Sequence, residues 1–116
     1  MKYFFLSFFY CTFLLLGQDT PFEAGMNAYS SRAENAGGML ANPDQINKAI
    51  DAFIKAKQVS DHELDGGVYL LRSYYYKGKF VAQDDDGKKE VFNLGKSLGE
   101  VLIEKYPESA AVRYWY

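Results

Sequence analysis

The chain has 116 residues and a formal charge of −2, with acidic and basic residues interleaved along its length. That length allows one domain at most, and the absence of a basic block argues against a nucleic-acid or anionic-lipid partner. The only cysteine, Cys11, lies in the apolar N-terminal stretch, so the rest of the chain carries no disulfide framework, thiolate metal site or cysteine nucleophile.

Met1-Lys2 gives a short positive start, and residues 3–17 carry no charge. This run is shorter than the ~20 apolar residues that span a bilayer core. It predicts a signal peptide over residues 1–17, followed by a helical-repeat domain over residues 18–116 in an exported, periplasmic protein. Gly17 suits a cleavage site, whereas Leu15 is bulky for one, so an uncleaved anchor is the competing reading and would supply the only membrane contact. Cys11 reads as one more leader hydrophobe, because Phe8-Phe9-Tyr10 before it lack the small residues of a lipidation motif.

Pro21 fits the first turn of a helix starting near Phe22, and Ala33 to Leu40 is helix-compatible apart from Gly37-Gly38. Asn42-Pro43-Asp44 reads as a turn into the clearest helix, Ile46 to Val59. There Ile46, Ala49, Ile50, Phe53 and Ala56 recur at spacings of three and four. Ser60 or Asp61 is the expected cap of a third helix over residues 61–76, with Leu64, Val68, Leu71 and Tyr75 in one row. Gly78 is expected to close it in a left-handed conformation. Strand is the competing reading for Val68 to Tyr76. Asp84-Asp85-Asp86-Gly87 is a break, read as a solvated loop or helix cap. Lys88 to Tyr106 is helical again, with Gly95 and Gly99 on the packed row suggesting a close neighbouring helix. Pro107 ends that helix and Ser109 starts another, which runs into the chain end without a cap, the pattern expected of a truncated product. The predicted class is all-α, with antiparallel helix-turn-helix pairs stacked as an α-solenoid.

Residues 44–56 resemble the second helix of a tetratricopeptide repeat, with Ala49, Phe53 and Ala56 at its small, aromatic and small positions. Counting back, the resemblance places Gly37 and Leu40 on the repeat's first helix. Ala33 stands where a tryptophan-type residue is usual, and Asp61 where a proline is. The segments Leu70 to Gly78, Lys89 to Lys96 and Tyr106 to Trp115 resemble the N-terminal part of the TRAP-transporter T-component (TatT) family. That resemblance implies an all-helical protein that docks a periplasmic solute-binding protein and offers an apolar cavity.

Catalytic chemistry finds no foothold in the sequence. From Asp84, the fifth and twelfth positions are Lys88 and Gly95, which rules out an EF-hand loop. His62 is the sole histidine and has no nucleophile elbow near it, so neither enzyme activity nor a metal or other cofactor is expected. The candidate site is aromatic: Tyr69, Tyr74, Tyr75, Tyr76, Tyr114 and Trp115. Adjacent helical side chains point about 100° apart, so these tyrosines cannot all be buried. Two uses stay open, a protein partner such as a solute-binding protein, or a small hydrophobic ligand held between helices. Packing against further repeats is the structural alternative.

Overall fold

The computed structural model describes residues 20–38 and 40–116. The signal-peptide expectation and Cys11 therefore lie outside the described residues. Within them the chain is helical, and an isolated bridge between Gly37 and Leu40 is the sole β feature. No helix among the described residues is long and apolar enough to cross a membrane.

Helix α1 spans Pro21–Ser30. Thr20 Oγ1 accepts from the Glu23 backbone N–H at 3.2 Å and the Glu23 carboxylate accepts from Thr20 N–H at 3.4 Å, a reciprocal capping box with proline at the first position. Helix α2 spans Pro43–Ala56 and is capped by Asn42 Oδ1, which accepts from Asp44 N–H at 2.9 Å. Its buried stripe is Ile46, Ala49, Ile50, Phe53 and Ala56, the row predicted from spacing. A 3₁₀ turn, Ser60–His62, leads into α3, Glu63–Tyr76. Neither Ser60 nor Asp61 caps α3; the 3₁₀ turn takes the place of a side-chain cap. Val68 to Tyr76 is helical throughout, so the strand reading falls.

Three other expectations are corrected. Residues 31–35 form turns and Gly37 bridges Leu40, so neither Gly37 nor Leu40 sits on a repeat helix. Asn35 and Gly38 take φ values of 60° and 62°, a left-handed backbone that a right-handed helix cannot accommodate. The helix paired with α2 is thus α1, across residues 31–42. Gly78 does not end α3 in a left-handed conformation; Lys77–Val81 continues as a π-helical turn, with Ala82 N–H donating to Lys77 C=O at 2.9 Å. Gly78 is buried because the Phe92 ring lies where a Cβ would be, 2.6 Å away. Finally, Gly99 accommodates the ring of Tyr116 rather than a helix, while Gly95 meets Tyr74 Cβ at an ordinary 3.6 Å.

Helix α4 spans Asp85–Lys105, capped by Asp84 Oδ1 accepting from Gly87 N–H at 2.7 Å, so the aspartate run is a helix start. Helix α5 spans Ala110–Trp115, with Ser109 as its cap. Contacts fix the directions. Phe22 at the start of α1 meets Phe53 near the end of α2, and Gly66 of α3 meets the backbone of Ala56 and Lys57. Along α3 and the π-helical turn after it, Glu63, Gly67, Tyr74 and Gly78 meet Lys105, Leu102, Gly95 and Phe92 of α4 in turn. Each neighbouring pair is antiparallel, and α5 packs on both α3 and α4.

Two cores result, and α3 serves both. Ala28, Tyr29, Ile46, Ala49, Ile50, Phe53 and Leu70 fill the first; Val68, Leu71, Leu102 and Val112 fill the second. Phe53 is fully buried, and its ring atoms lie 2.5–2.9 Å from where a Gly25 Cβ would stand. Gly25→Ala should therefore cost about 1–3 kcal/mol through overpacking, despite the ~1 kcal/mol that alanine gains in a helix. Gly99→Ala displaces only the half-exposed Tyr116 ring and should be neutral or stabilising. Thermal unfolding of the two variants beside the parent checks the contrast; equal melting temperatures would contradict it.

Candidate functional site

Helix α3 presents Tyr69, Arg72 and Tyr76 at spacings of three and four, hence on one stripe. That stripe faces α1 and the turn after it. The Tyr69 ring lies edge-on to Phe22 and Tyr29, with centroids 6.1 Å and 5.6 Å away, and stacks on Phe53 at 5.6 Å. Phe22 also stacks on His62 at 4.5 Å, and His62 Nδ1 contacts the Asp65 carboxylate at 3.2 Å. The sole histidine is thereby engaged by a ring and an acid at the entrance to α3.

Two guanidinium groups occupy this stripe. The central carbon of Arg72 lies 4.6 Å from the Tyr69 centroid, 5.2 Å from Tyr29 and 5.1 Å from Trp115. Arg32, just after α1, lies 4.2 Å from Tyr29 and 5.3 Å from Tyr76, and donates through Nη1 to Tyr29 C=O at 3.0 Å. Tyr76 Oη donates back to Arg32 C=O at 3.2 Å. A guanidinium is planar and weakly hydrated, so ring faces hold it well, for about 1–2 kcal/mol per good contact. Both cations touch the ring of Tyr29, and neither has a carboxylate partner among the described residues. Two like charges resting against one ring repel each other. Arg72 Nε is buried and has no hydrogen-bond partner among the described residues.

The predicted aromatic residues separate into three groups. Tyr69 and Tyr76 join the arginine stripe. Tyr75, Tyr114 and Trp115 gather around α5, where Trp115 is edge-on to Tyr75 at 5.6 Å and to Tyr114 at 5.1 Å, and Phe92 lies 6.4 Å from Tyr75. This group is open to solvent: Tyr114 is 80% exposed, Tyr75 43% and Phe92 42%. A small cleft of about 170 Å³ beside it is lined by Leu71, Tyr74, Phe92, Lys96, Trp115 and Tyr116, among others. Tyr74 belongs to neither ring group: besides this cleft it faces α2 and α4. There it lines a second cleft of about 390 Å³ with Ile54, Leu70, Leu94, Leu98 and Val101. Arg32, Arg72, Tyr29 and Phe22 were absent from the sequence-based candidates. The tyrosine–arginine–tyrosine spacing on α3 is the available signal for Arg72; Arg32 carries none, because it lies on no predicted row.

Among the described residues no three His, Cys, Asp or Glu side chains group as metal ligands. The arrangement offers ring faces and guanidinium donors, which bind and orient. No protein-family model, curated protein or solved structure matches the chain.

Burial pushes the Tyr74 hydroxyl above the ordinary tyrosine pKa, and the Asp51 charge adds to the shift. A raised acid pKa means that folding favours the protonated form. This contribution to stability is complete below pH ~10 and is lost as pH rises through the folded-state pKa. Tyr74→Phe should thus flatten the fall in stability above pH ~10 and remove a late-ionising phenol from the ultraviolet titration. An unchanged titration would refute the assignment.

Proposed function

We propose that this chain is an exported helical-repeat scaffold that binds a protein partner, with a periplasmic solute-binding protein of a TRAP-type uptake system as the partner class. The observation that carries the reading is the group of exposed rings, Tyr75, Phe92 and Tyr114, gathered with the half-buried Trp115 around α5. Large amphipathic rings gathered at one surface supply contact area at low entropic cost, and such rings dominate binding energy at interfaces. Stacking supports the repeat reading: α1, α2, α3 and α4 alternate in direction, and α5 leans on α3. The sequence resemblance to the T-component family supplies the partner class.

Loss of two interface aromatics costs roughly 2 kcal/mol or more in an interface of this kind. Tyr75→Ala combined with Tyr114→Ala should therefore abolish recovery of a defined partner when the full-length protein is used to probe envelope extract. Repeated recovery of no partner, or undiminished recovery by the double variant, would end this reading. Export is tested separately by fusing residues 1–20 to a phosphatase that is active only outside the cytoplasm; an inactive fusion would contradict it.

A carrier for a small hydrophobic molecule is the second reading, favoured by the apolar cleft between α2, α3 and α4. Its volume of about 390 Å³ suits a small ligand. Native mass spectrometry of gently purified protein should then show an added apolar mass that Leu98→Lys removes. Protein of bare mass from several preparations would dismiss it.

A further inference from the structure

We propose that Arg32 and Arg72, set among the rings of Tyr29, Tyr69, Tyr76 and Trp115, form a binding site for a carboxylate carried on an apolar or aromatic body. This site shares Trp115 with the aromatic group around α5, but its two cations set its chemistry apart, and it does not depend on the partner proposed for that group.

Four observations converge on it. The first is donor capacity: Arg72 makes no hydrogen bond to any described residue, and its Nε is buried without a partner among them. Its five N–H donors form a fork that matches the two oxygens of a carboxylate. Charge is the second. Two guanidinium groups rest on the one ring of Tyr29, and no aspartate or glutamate of the described residues pairs with either. A cation used only as a spacer between α1, α3 and α5 gains nothing from a second cation beside it, whereas an anion drawn to both relieves their repulsion. Third, the surroundings are aromatic. Rings within 4.2–5.3 Å of the two guanidinium carbons displace water from the cations and strengthen a pairing there, while offering apolar surface to the rest of the ligand. Fourth, position: Arg32 and Arg72 are both half-buried, so neither residue is wholly sealed from solvent.

A single negative charge suits this pair better than the doubly charged phosphate, which draws on a denser set of donors than two arginines in a chain of net charge −2. The carboxylate can come from a small organic acid or from the C-terminus of a peptide, and both sources share the same fork.

The chain contains one tryptophan, and Trp115 touches Arg72, so its fluorescence reports on the site directly. The full chain is titrated with phenylacetate, with neutral phenylacetamide, with inorganic phosphate, and with an acetylated phenylalanine dipeptide whose C-terminus is either free or amidated. Saturable change with phenylacetate or the free-ended dipeptide, and none with the neutral twin of whichever binds, is the expected result. Phenylacetate alone assigns a small organic acid; the dipeptide alone assigns a chain terminus. Arg72→Gln and Arg32→Gln should each weaken the response by about ten-fold or more, since each removes a charged donor fork. Arg113→Gln on the exposed part of α5 should leave it unchanged. Circular dichroism accompanies every variant, and if Arg72→Gln fails to fold, Arg72→Lys replaces it, keeping the charge but losing the fork. Absence of a saturable response to either carboxylate overturns the site. So does an equal response to a neutral twin, a stronger one to phosphate, or full binding by the folded arginine variants.

Discussion

The Phe53 ring fills a space that exists because Gly25 has no side chain, and the arrangement of α1, α2 and α3 depends on that fit. With the ring fully buried, α1 must approach α2 closely, and the far side of Phe53 is left to stack on Tyr69. Burying a side chain of this size stabilises the fold by roughly 1.5–3 kcal/mol. Its geometric effect reaches further, because Tyr69 then meets Phe22 and Tyr29 edge-on and sets where α3 lies against α1. Arg72, one turn along from Tyr69, inherits its position from that contact.

Helix α3 is the mediator between the two halves. Its Leu70 completes the core shared with α1 and α2, while Val68 and Leu71 belong to the core shared with α4 and α5. Four consecutive apolar or aromatic residues, Val68 to Leu71, make sense on a helix that is packed from two sides. Ser73, fully buried on the same helix, avoids an unmet hydroxyl by donating to Tyr69 C=O at 2.7 Å. Surface ion pairing adds little: Glu63 and Lys105 tie the start of α3 to the end of α4, and each shifts the other toward its charged form.

Much of the architecture was legible before the structure. The three-and-four spacing from Ile46 to Ala56 gave α2 with its buried face, and Asp84 and Ser109 stand at helix starts as their side chains suggest. The failures have local causes. Residues 33–40 are rich in small residues that a helix tolerates, but the left-handed turns at Asn35 and Gly38 interrupt them, and no propensity forces the choice. Gly95 and Gly99 look like close-approach glycines for a neighbouring helix, whereas Gly99 meets the Tyr116 ring, and Gly25, Gly67 and Gly78 also meet rings or a leucine from another segment; spacing alone does not tell which neighbour arrives. The tyrosines were visible as a surplus of aromatics, but their division into three groups needed the helix phases. Arg72 became meaningful only when α1 and α5 brought Tyr29 and Trp115 to it from both sides.

The segment between α1 and α2 is held near its two ends. At one end Tyr76 Oη reaches Arg32 C=O; at the other, Ala41 N–H donates to Phe80 C=O at 2.8 Å, within the wide turn that extends α3. Residues 33–38 stand exposed between these moorings. The result is an arch pinned to one helix by two bolts, so lengthening or rewriting its crown would not lever apart the helices beneath it. For anyone wishing to attach a label or a binding epitope to this molecule, the crown of that arch is the natural address.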